Sequence, residues 1–199
     1  MTKIKICGIT RLEDARFCAG LGADFLGFIF VESSPRHITP ERAREIVDQV
    51  RGPRFVGVFR DASAHYMSEV ARVAGVDLLQ LHGSESDDDI RAAAMPAIKA
   101  FRVGDELPDA TTAADWVLFD TFDERRGGGT GRRFDWSLLA SYPRTKPFFL
   151  AGGVTPENVA VAISSVRPDA IDVSSGVESE PGIKDHAKVR SLFERVRRA

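Results

Sequence analysis

Short apolar runs alternate along the chain with longer stretches in which apolar residues recur at helical spacing. Eight of these runs predict strands: Ile4–Cys7, Asp24–Phe30, Arg54–Phe59, Asp77–Leu81, Ala97–Phe101, Trp116–Asp120, Phe148–Ala151 and Ala170–Val173. The second run is almost wholly apolar, which is typical of a strand covered on both faces. Parallel strands need crossover connections, which are nearly always right-handed, so eight strand–helix units predict a closed (β/α)8 TIM barrel.

Helices are predicted between most of these strands. They cover Leu12–Gly20, Pro40–Val50, a segment ending at Ala74, Ser86–Ala94, a short piece near Trp136–Tyr142, Pro156–Val166 and Lys184–Arg197. The unit after the fifth strand is the weakest, because DELPDATTAA is a poor helix. The competing fold is an open doubly wound sheet, which would more naturally carry a GxGxxG turn after its first strand. Gly8-Ile9-Thr10 does not supply that turn.

Composition narrows the class of protein. The 199 residues are 43% hydrophobic and 28% charged, which fits a single globular domain over residues 1–199. A formal net charge of −2 leaves no broad basic field, so we expect no nucleic-acid partner. No apolar run reaches the roughly 18 residues of a spanning helix, and the N-terminus lacks a signal-peptide pattern. We therefore expect a cytoplasmic protein without a membrane partner, in which Cys7 and Cys18 stay reduced; a disulfide between them is the alternative.

The residues at the predicted strand ends carry the chemistry, because a barrel of this kind builds its active site at the carboxyl ends of its strands. These ends hold Cys7, the loop 34–36, Arg60, His82, Arg102, Asp120, Gly152-Gly153 and Ser174-Ser175-Gly176. A thiol, a carboxyl group, an arginine and two loops of small residues form a chemically focused set.

The last two loops, LAGGVTPENV and DVSSGVE, indicate a phosphate site. Backbone N–H groups approach a phosphate closely only where side chains are small, and the loops after strands seven and eight are the usual place in these barrels. The candidate residues are Gly152, Gly153, Ser174, Ser175 and Gly176. The alternative is that the glycines only make tight turns.

Several motifs in order along nearly the whole chain resemble the phosphoribosylanthranilate isomerase family. They are KICGIT, GADFLGFIF, SPRHI, VGVF, LQLHG, LFDT, GGTG with FDW, LAGGVTPENV, DVSSGVE and PGIKD. The resemblance implies an Amadori rearrangement of a small phosphorylated substrate, without a cofactor, in tryptophan biosynthesis. It also implies that Cys7 is the general base and Asp120 the general acid.

The resemblance further implies that Arg36 binds the anthranilate carboxylate, since a guanidinium group matches a carboxylate bidentately. His82 and Asp172 are candidate contacts to the sugar, and Gly128–Gly131 is similar to the family's mobile loop. Plainer interpretations stay open for each residue. Cys7 could be a structural thiol, Arg36 a solvated loop residue, His82 part of the cavity wall, and Asp172 a group that orients its loop.

Two other functions remain as alternatives. One is the ProFAR isomerase of histidine biosynthesis, which performs the same chemistry but relies on two aspartates and two phosphate sites. The other is a non-catalytic protein that binds a phosphoribosyl ligand. A metal site is not expected, because the four histidines are scattered. A monomer and a homodimer are both compatible with the sequence, and the effects of Arg60, Arg125 and Arg126 stay open.

Overall fold

Eight parallel strands close into a barrel within residues 1–121 and 135–199, the parts of the chain that the computed structural model describes. The strands are β1 Lys3–Cys7, β2 Phe25–Ile29, β3 Arg54–Phe59, β4 Leu78–Leu81, β5 Ala97–Val103, β6 Trp116–Thr121, β7 Phe148–Leu150 and β8 Ala170–Val173. Each strand pairs with its neighbour in chain order, and β8 pairs with β1 to complete the ring. The predicted TIM barrel is confirmed.

Six helices of the described residues pack outside the barrel. They are α1 Leu12–Gly20, α2 Pro40–Val47, α3 Ala64–Ala74, α4 Asp87–Ala93, α5 Val159–Val166 and α6 His186–Arg198. Side-chain caps begin several of them: the Thr39 hydroxyl accepts from the Arg42 N–H, and Ser86 forms a capping box with Asp89. Two 3-10 helices, Trp136–Ser141 and Ser175–Val177, complete the helical segments. Within the described ranges, no helix has both the length and the apolar character needed to cross a bilayer.

The segment after β8 differs from the sequence prediction. A small antiparallel hairpin, β9 Glu178–Glu180 with β10 Ile183–Lys184, stands where only a loop was expected. The last helix begins at His186 rather than at Lys184, because Asp185 caps it by accepting from the N–H groups of residues 187 and 188. Residues 104–115 after β5 form no helix, in keeping with the weakness of that unit.

Four aspartates tie the strands together at the amino-terminal face. Each precedes an even-numbered strand and accepts a hydrogen bond from an N–H near the start of the preceding odd-numbered strand. The pairs are Asp24 with Ile4 at 2.8 Å, Asp77 with Phe55 at 2.7 Å, Asp115 with Ala97 at 2.9 Å and Asp169 with Phe148 at 3.0 Å. These four hydrogen bonds satisfy backbone N–H groups at the amino-terminal face of the barrel, where residues of this fold contribute to stability rather than to catalysis.

The interior of the barrel changes character along its axis. Its amino-terminal half is apolar, with Phe25, Val56, Leu78, Ile98, Leu118, Phe149 and Ala170 in one buried cluster. Further along the axis the inward positions are polar: Lys5 and Cys7 on β1, Gln80 on β4 and Asp172 on β8. The second, larger apolar core lies between the strands and the helices. The polar end of the interior is therefore where a ligand can bind.

Candidate active site

A cavity of about 230 Å³ opens at the carboxyl ends of the strands. The ten site candidates from the sequence all line it: Cys7, Arg36, His82, Asp120, Gly152, Gly153, Asp172, Ser174, Ser175 and Gly176. They come from five strand ends and the loop after β2, and the closure of the barrel brings them together. Their individual roles stay predictions.

Cys7 ends β1 with its side chain on the cavity and only 6% of its surface exposed. Opposite it in the β1–β2 register lies Gly27. A methyl group on Gly27 would stand 2.8 Å from the Cys7 Sγ, so the absence of a side chain on β2 makes room for the sulfur. Burial raises the pKa of the Cys7 thiol, and the Lys5 ammonium opposes that effect. Both cysteines are free thiols, so the alternative of a Cys7–Cys18 disulfide is wrong.

Asp120 and His82 form a pair across the cavity floor. The His82 Nε2 lies 3.2 Å from the Asp120 Oδ2, and the Thr121 N–H donates to the Asp120 Oδ1 at 2.7 Å. The Gln80 Nε2 lies 3.3 Å from the other ring nitrogen, His82 Nδ1. The imidazole is thus oriented on both sides: the Gln80 amide nitrogen donates to Nδ1, so Nε2 carries the ring hydrogen and donates it to the Asp120 carboxyl group.

Asp172 faces the cavity from β8, with one oxygen tied down. Its Oδ2 accepts from the Lys5 Nζ at 2.8 Å, in an ion pair that is almost completely buried. Its Oδ1 is buried and has no hydrogen-bond partner among the described residues.

Arg36 is held from behind by the hairpin. Its guanidinium group donates to Glu178 through Nε at 3.0 Å and through Nη2 at 2.7 Å. Glu178 also pairs with Lys184 at 2.7 Å, and the Lys184 Nζ donates to the Cys7 carbonyl oxygen at 2.6 Å. Burial alone would raise the pKa of Glu178, but Arg36 and Lys184 outweigh it and hold that pKa below its ordinary value. Arg36 is therefore a fixed part of the cavity wall rather than a solvated loop residue.

The loops after β7 and β8 form one continuous edge. Gly152 and Gly153 have φ values of +77° and +70°, and no N–H of theirs donates within the described part of the protein. Gly176 lies so close to the Val154 carbonyl that a β-carbon would overlap that oxygen. The two loops can pack this tightly only with glycine there, which leaves backbone donors at the cavity edge for an anion.

Three buried polar atoms of this cavity lack a hydrogen-bond partner among the described residues: Gln80 Oε1, Asp172 Oδ1 and Ser174 Oγ. A buried polar atom without a partner costs about 1–3 kcal/mol. Their convergence on one cavity indicates a polar ligand that supplies the missing partners.

Sequence reasoning did not find Lys5, Gln80, Glu178 or Lys184 as parts of this site. Lys5 and Gln80 stand two residues before predicted site residues on the same strands, Cys7 and His82, so period-two alternation could have found them. No local signal links Glu178 to Arg36, because they are 142 residues apart.

The remaining expectations fall into two groups. Arg60 lines the cavity and lies 3.7 Å from Asp61. Gly127–Gly131, Arg125 and Arg126 lie outside the described residues. Where the chain is described, no three His, Cys, Asp or Glu side chains cluster in a way that could hold a metal ion.

The fold and the site together define a class of protein. In a (β/α)8 barrel, one cavity is lined by a thiol, a carboxyl–imidazole pair, an anchored guanidinium group and two glycine-containing loops that can bind an anion. That combination is typical of a barrel enzyme that performs proton-transfer chemistry on a small anionic substrate.

Comparisons with known proteins give the particular family. The family model for N-(5'-phosphoribosyl)anthranilate (PRA) isomerase matches residues 4–195. The N-(5'-phosphoribosyl)anthranilate isomerase of Pseudomonas fluorescens strain Pf0-1 is 48% identical over 201 residues, which cover 97% of each chain. The crystal structure of phosphoribosyl anthranilate isomerase from Thermus thermophilus superposes with a TM-score of 0.89 at 38% identity, over 99% of each chain.

A second solved structure contains a ligand. It is a phosphoribosyl anthranilate isomerase in complex with reduced 1-(o-carboxyphenylamino)-1-deoxyribulose 5-phosphate, with a TM-score of 0.86 and 37% identity over the full length of both chains. The chain described here belongs to the phosphoribosylanthranilate isomerase family.

Proposed function

We propose that the chain converts N-(5-phosphoribosyl)anthranilate into 1-(2-carboxyphenylamino)-1-deoxyribulose 5-phosphate in tryptophan biosynthesis, with Cys7 as general base and Asp120 as general acid. Family membership supports the reaction. The observation that carries the residue roles is that the thiol and the carboxyl group line the same cavity as the glycine-rich anion edge.

The first step opens the sugar ring. Asp120 gives a proton to the furanose oxygen, the bond from that oxygen to C1′ breaks, and the anthranilate nitrogen lone pair forms the iminium. The 3.2 Å approach of His82 Nε2 to Asp120 Oδ2 supports this role, because that hydrogen bond fixes the carboxyl group at the cavity.

The second step removes the proton on C2′. The Cys7 thiolate takes it and becomes a thiol, while the electron pair of that bond neutralises the iminium and leaves an enolamine. The enolamine then tautomerises to the ketone. A proton next to an iminium is acidic enough for a thiolate to remove, and only the thiolate form can act as the base.

Binding is shared between the two sides of the cavity. The substrate phosphate lies against the backbone N–H groups near Gly152, Gly153 and residues 174–176, where small side chains let it approach the backbone. Arg36 binds the anthranilate carboxylate, and its anchoring by Glu178 supports a fixed position. The unpaired Asp172 Oδ1 accepts from a sugar hydroxyl, and the unpaired Ser174 hydroxyl donates to a sugar or phosphate oxygen.

The working form that we propose is a single-domain monomer or homodimer in the cytoplasm. A reducing compartment suits a protein whose proposed base must remain a free thiol.

The decisive assay follows the fluorescence decay of freshly made phosphoribosylanthranilate after purified protein is added, without added metal or nucleotide. We expect Cys7→Ser and Asp120→Asn each to lower turnover by about 10²–10⁴-fold while circular dichroism stays unchanged. Cys18→Ser is the matched control, because Cys18 is buried away from the cavity in α1 and should leave turnover intact. An active Asp120→Asn variant would contradict the assignment of the acid.

A further inference from the structure

The Lys5 ammonium is buried inside the barrel just below the proposed base. Lys5 and Cys7 are two residues apart on β1, so both side chains point to the same, inward face of the strand. Lys5 has no exposed surface. A buried ammonium is costly unless it is paired, and its nearest partner is the Asp172 carboxylate at 2.8 Å. Packing alone does not explain a lysine at this position, because an apolar residue would fill the interior at a lower cost in folding free energy.

The lysine and the thiol also converge on one spot beside β2. The position that a Gly27 β-carbon would occupy lies 2.8 Å from the Cys7 Sγ and 3.2 Å from the Lys5 Nζ. These two distances together bring the sulfur and the ammonium nitrogen within about 6 Å of each other. At that separation, in a poorly hydrated interior, a positive charge favours the ionised form of a thiol.

We propose that Lys5 is a positioning residue of the reaction, whose buried ammonium lies beside the Cys7 sulfur and favours the thiolate form that removes the substrate proton, with Asp172 as its counter-ion. The proposal rests on the proposed role of Cys7 as the base. Asp172 then has two roles: its Oδ2 pairs with the Lys5 ammonium, and its Oδ1 remains available to the substrate.

The charged groups around Cys7 come from three elements. Lys5 approaches from β1, Asp172 from β8, and Lys184 from β10, while β2 presents only Gly27. Lys184 donates to the Cys7 carbonyl oxygen and is paired with Glu178, so its charge is largely neutralised by its own partner. Burial has the largest effect and, together with Asp172, raises the pKa of Cys7 above its ordinary value; Lys5 is the strongest of the groups that lower it.

Lys5 remains charged at neutral pH. Burial alone would lower the pKa of Lys5, but Asp172 and Cys7 outweigh it and raise that pKa above its ordinary value. The ammonium is therefore present at neutral pH. It does not give up its proton during the reaction, and it acts on the substrate only through the sulfur.

The test measures the Cys7 thiolate directly. In a Cys18→Ser background, iodoacetamide alkylation at neutral pH should be at least about tenfold slower in Lys5→Met than in the parent. Thiolate ultraviolet absorbance should fall in parallel, and the rising limb of kcat against pH should move to higher pH. Lys99→Met is the matched control, because it removes another largely buried ammonium, paired with Glu85 at 3.0 Å, from outside the cavity.

A second variant covers the case in which Lys5→Met fails to fold because Asp172 is left unpaired. Lys5→Met with Asp172→Asn buries no charge at this position, and alkylation should still be slower than in the parent because the stronger influence on the thiol is gone. Alkylation as fast as in the parent, in either variant, would overturn the proposal. Slow alkylation combined with an active Cys7→Ser enzyme would instead overturn the role of Cys7 and leave the coupling to Lys5 standing.

Discussion

Gly27→Ala tests how closely the site depends on the space beside β2. The new methyl carbon would stand 2.8 Å from the Cys7 Sγ, 3.2 Å from the Cys7 Cα and 3.2 Å from the Lys5 Nζ. Nonbonded heavy atoms prefer about 3.5–4.0 Å, so the sulfur must move by about 1 Å. The contact with the Cα means that rotation of the Cys7 side chain alone does not relieve the overlap.

Two magnitudes follow from this overlap. Overpacking in a dense interior costs about 1–3 kcal/mol, which for a chain of this size lowers Tm by roughly 2–12 °C. A displacement of a catalytic group by about 1 Å lowers turnover by about 10²-fold. We therefore expect the loss of kcat to be far larger than the modest loss of stability would explain.

The assay compares kcat from substrate fluorescence decay with Tm from circular dichroism on the same preparation. Gly20→Ala is the matched control, because Gly20 ends α1 with no heavy atom within 4 Å of its added β-carbon. It should keep full activity and should be unchanged or slightly more stable. Wild-type kcat in Gly27→Ala would refute the packing argument for the Cys7 sulfur.

Two further outcomes follow from single side chains. Ser174→Ala should raise KM about tenfold with Tm unchanged, because its buried hydroxyl has no hydrogen-bond partner in the described part of the protein; an unchanged KM would exclude a substrate contact. The contribution of Glu178 to the free energy of unfolding should disappear in acid. Because the pKa of Glu178 is lowered in the folded protein, that contribution is complete above the ordinary carboxyl pKa and is lost as the pH falls through the lower native value. Urea unfolding at neutral and acid pH should show a smaller difference for Glu178→Gln than for wild type, and an equal difference would contradict this.

Much of the fold could be predicted from the sequence. The bounds of α1, β3 and β8 agree with the structure residue for residue, because turn-forming residues lie next to one end of each: Gly22 after α1, Pro53 before β3 and Ser174 after β8. The candidate site followed from the same reasoning. Once strand ends are identified, barrel topology alone brings Cys7 and Asp120 to one face.

The segment after β8 could not be predicted in the same way. The hairpin of Glu178 and Lys184 consists of two very short strands, and its local sequence gives no alternating apolar pattern. Its position depends on contacts with distant parts of the chain: Arg36 in the loop after β2 and the Cys7 carbonyl at the end of β1.

The order of strands and helices, and the residues at each strand end, could be predicted from the amino-acid sequence, because both depend on local periodicity and chain connectivity. The charged groups that meet inside the barrel could be identified only from the folded chain. Lys5 and Asp172 are 167 residues apart, and they meet because β8 closes against β1 in one particular register. A desolvated ion pair of this kind depends on that closure, since neither residue alone carries a local signal of its partner.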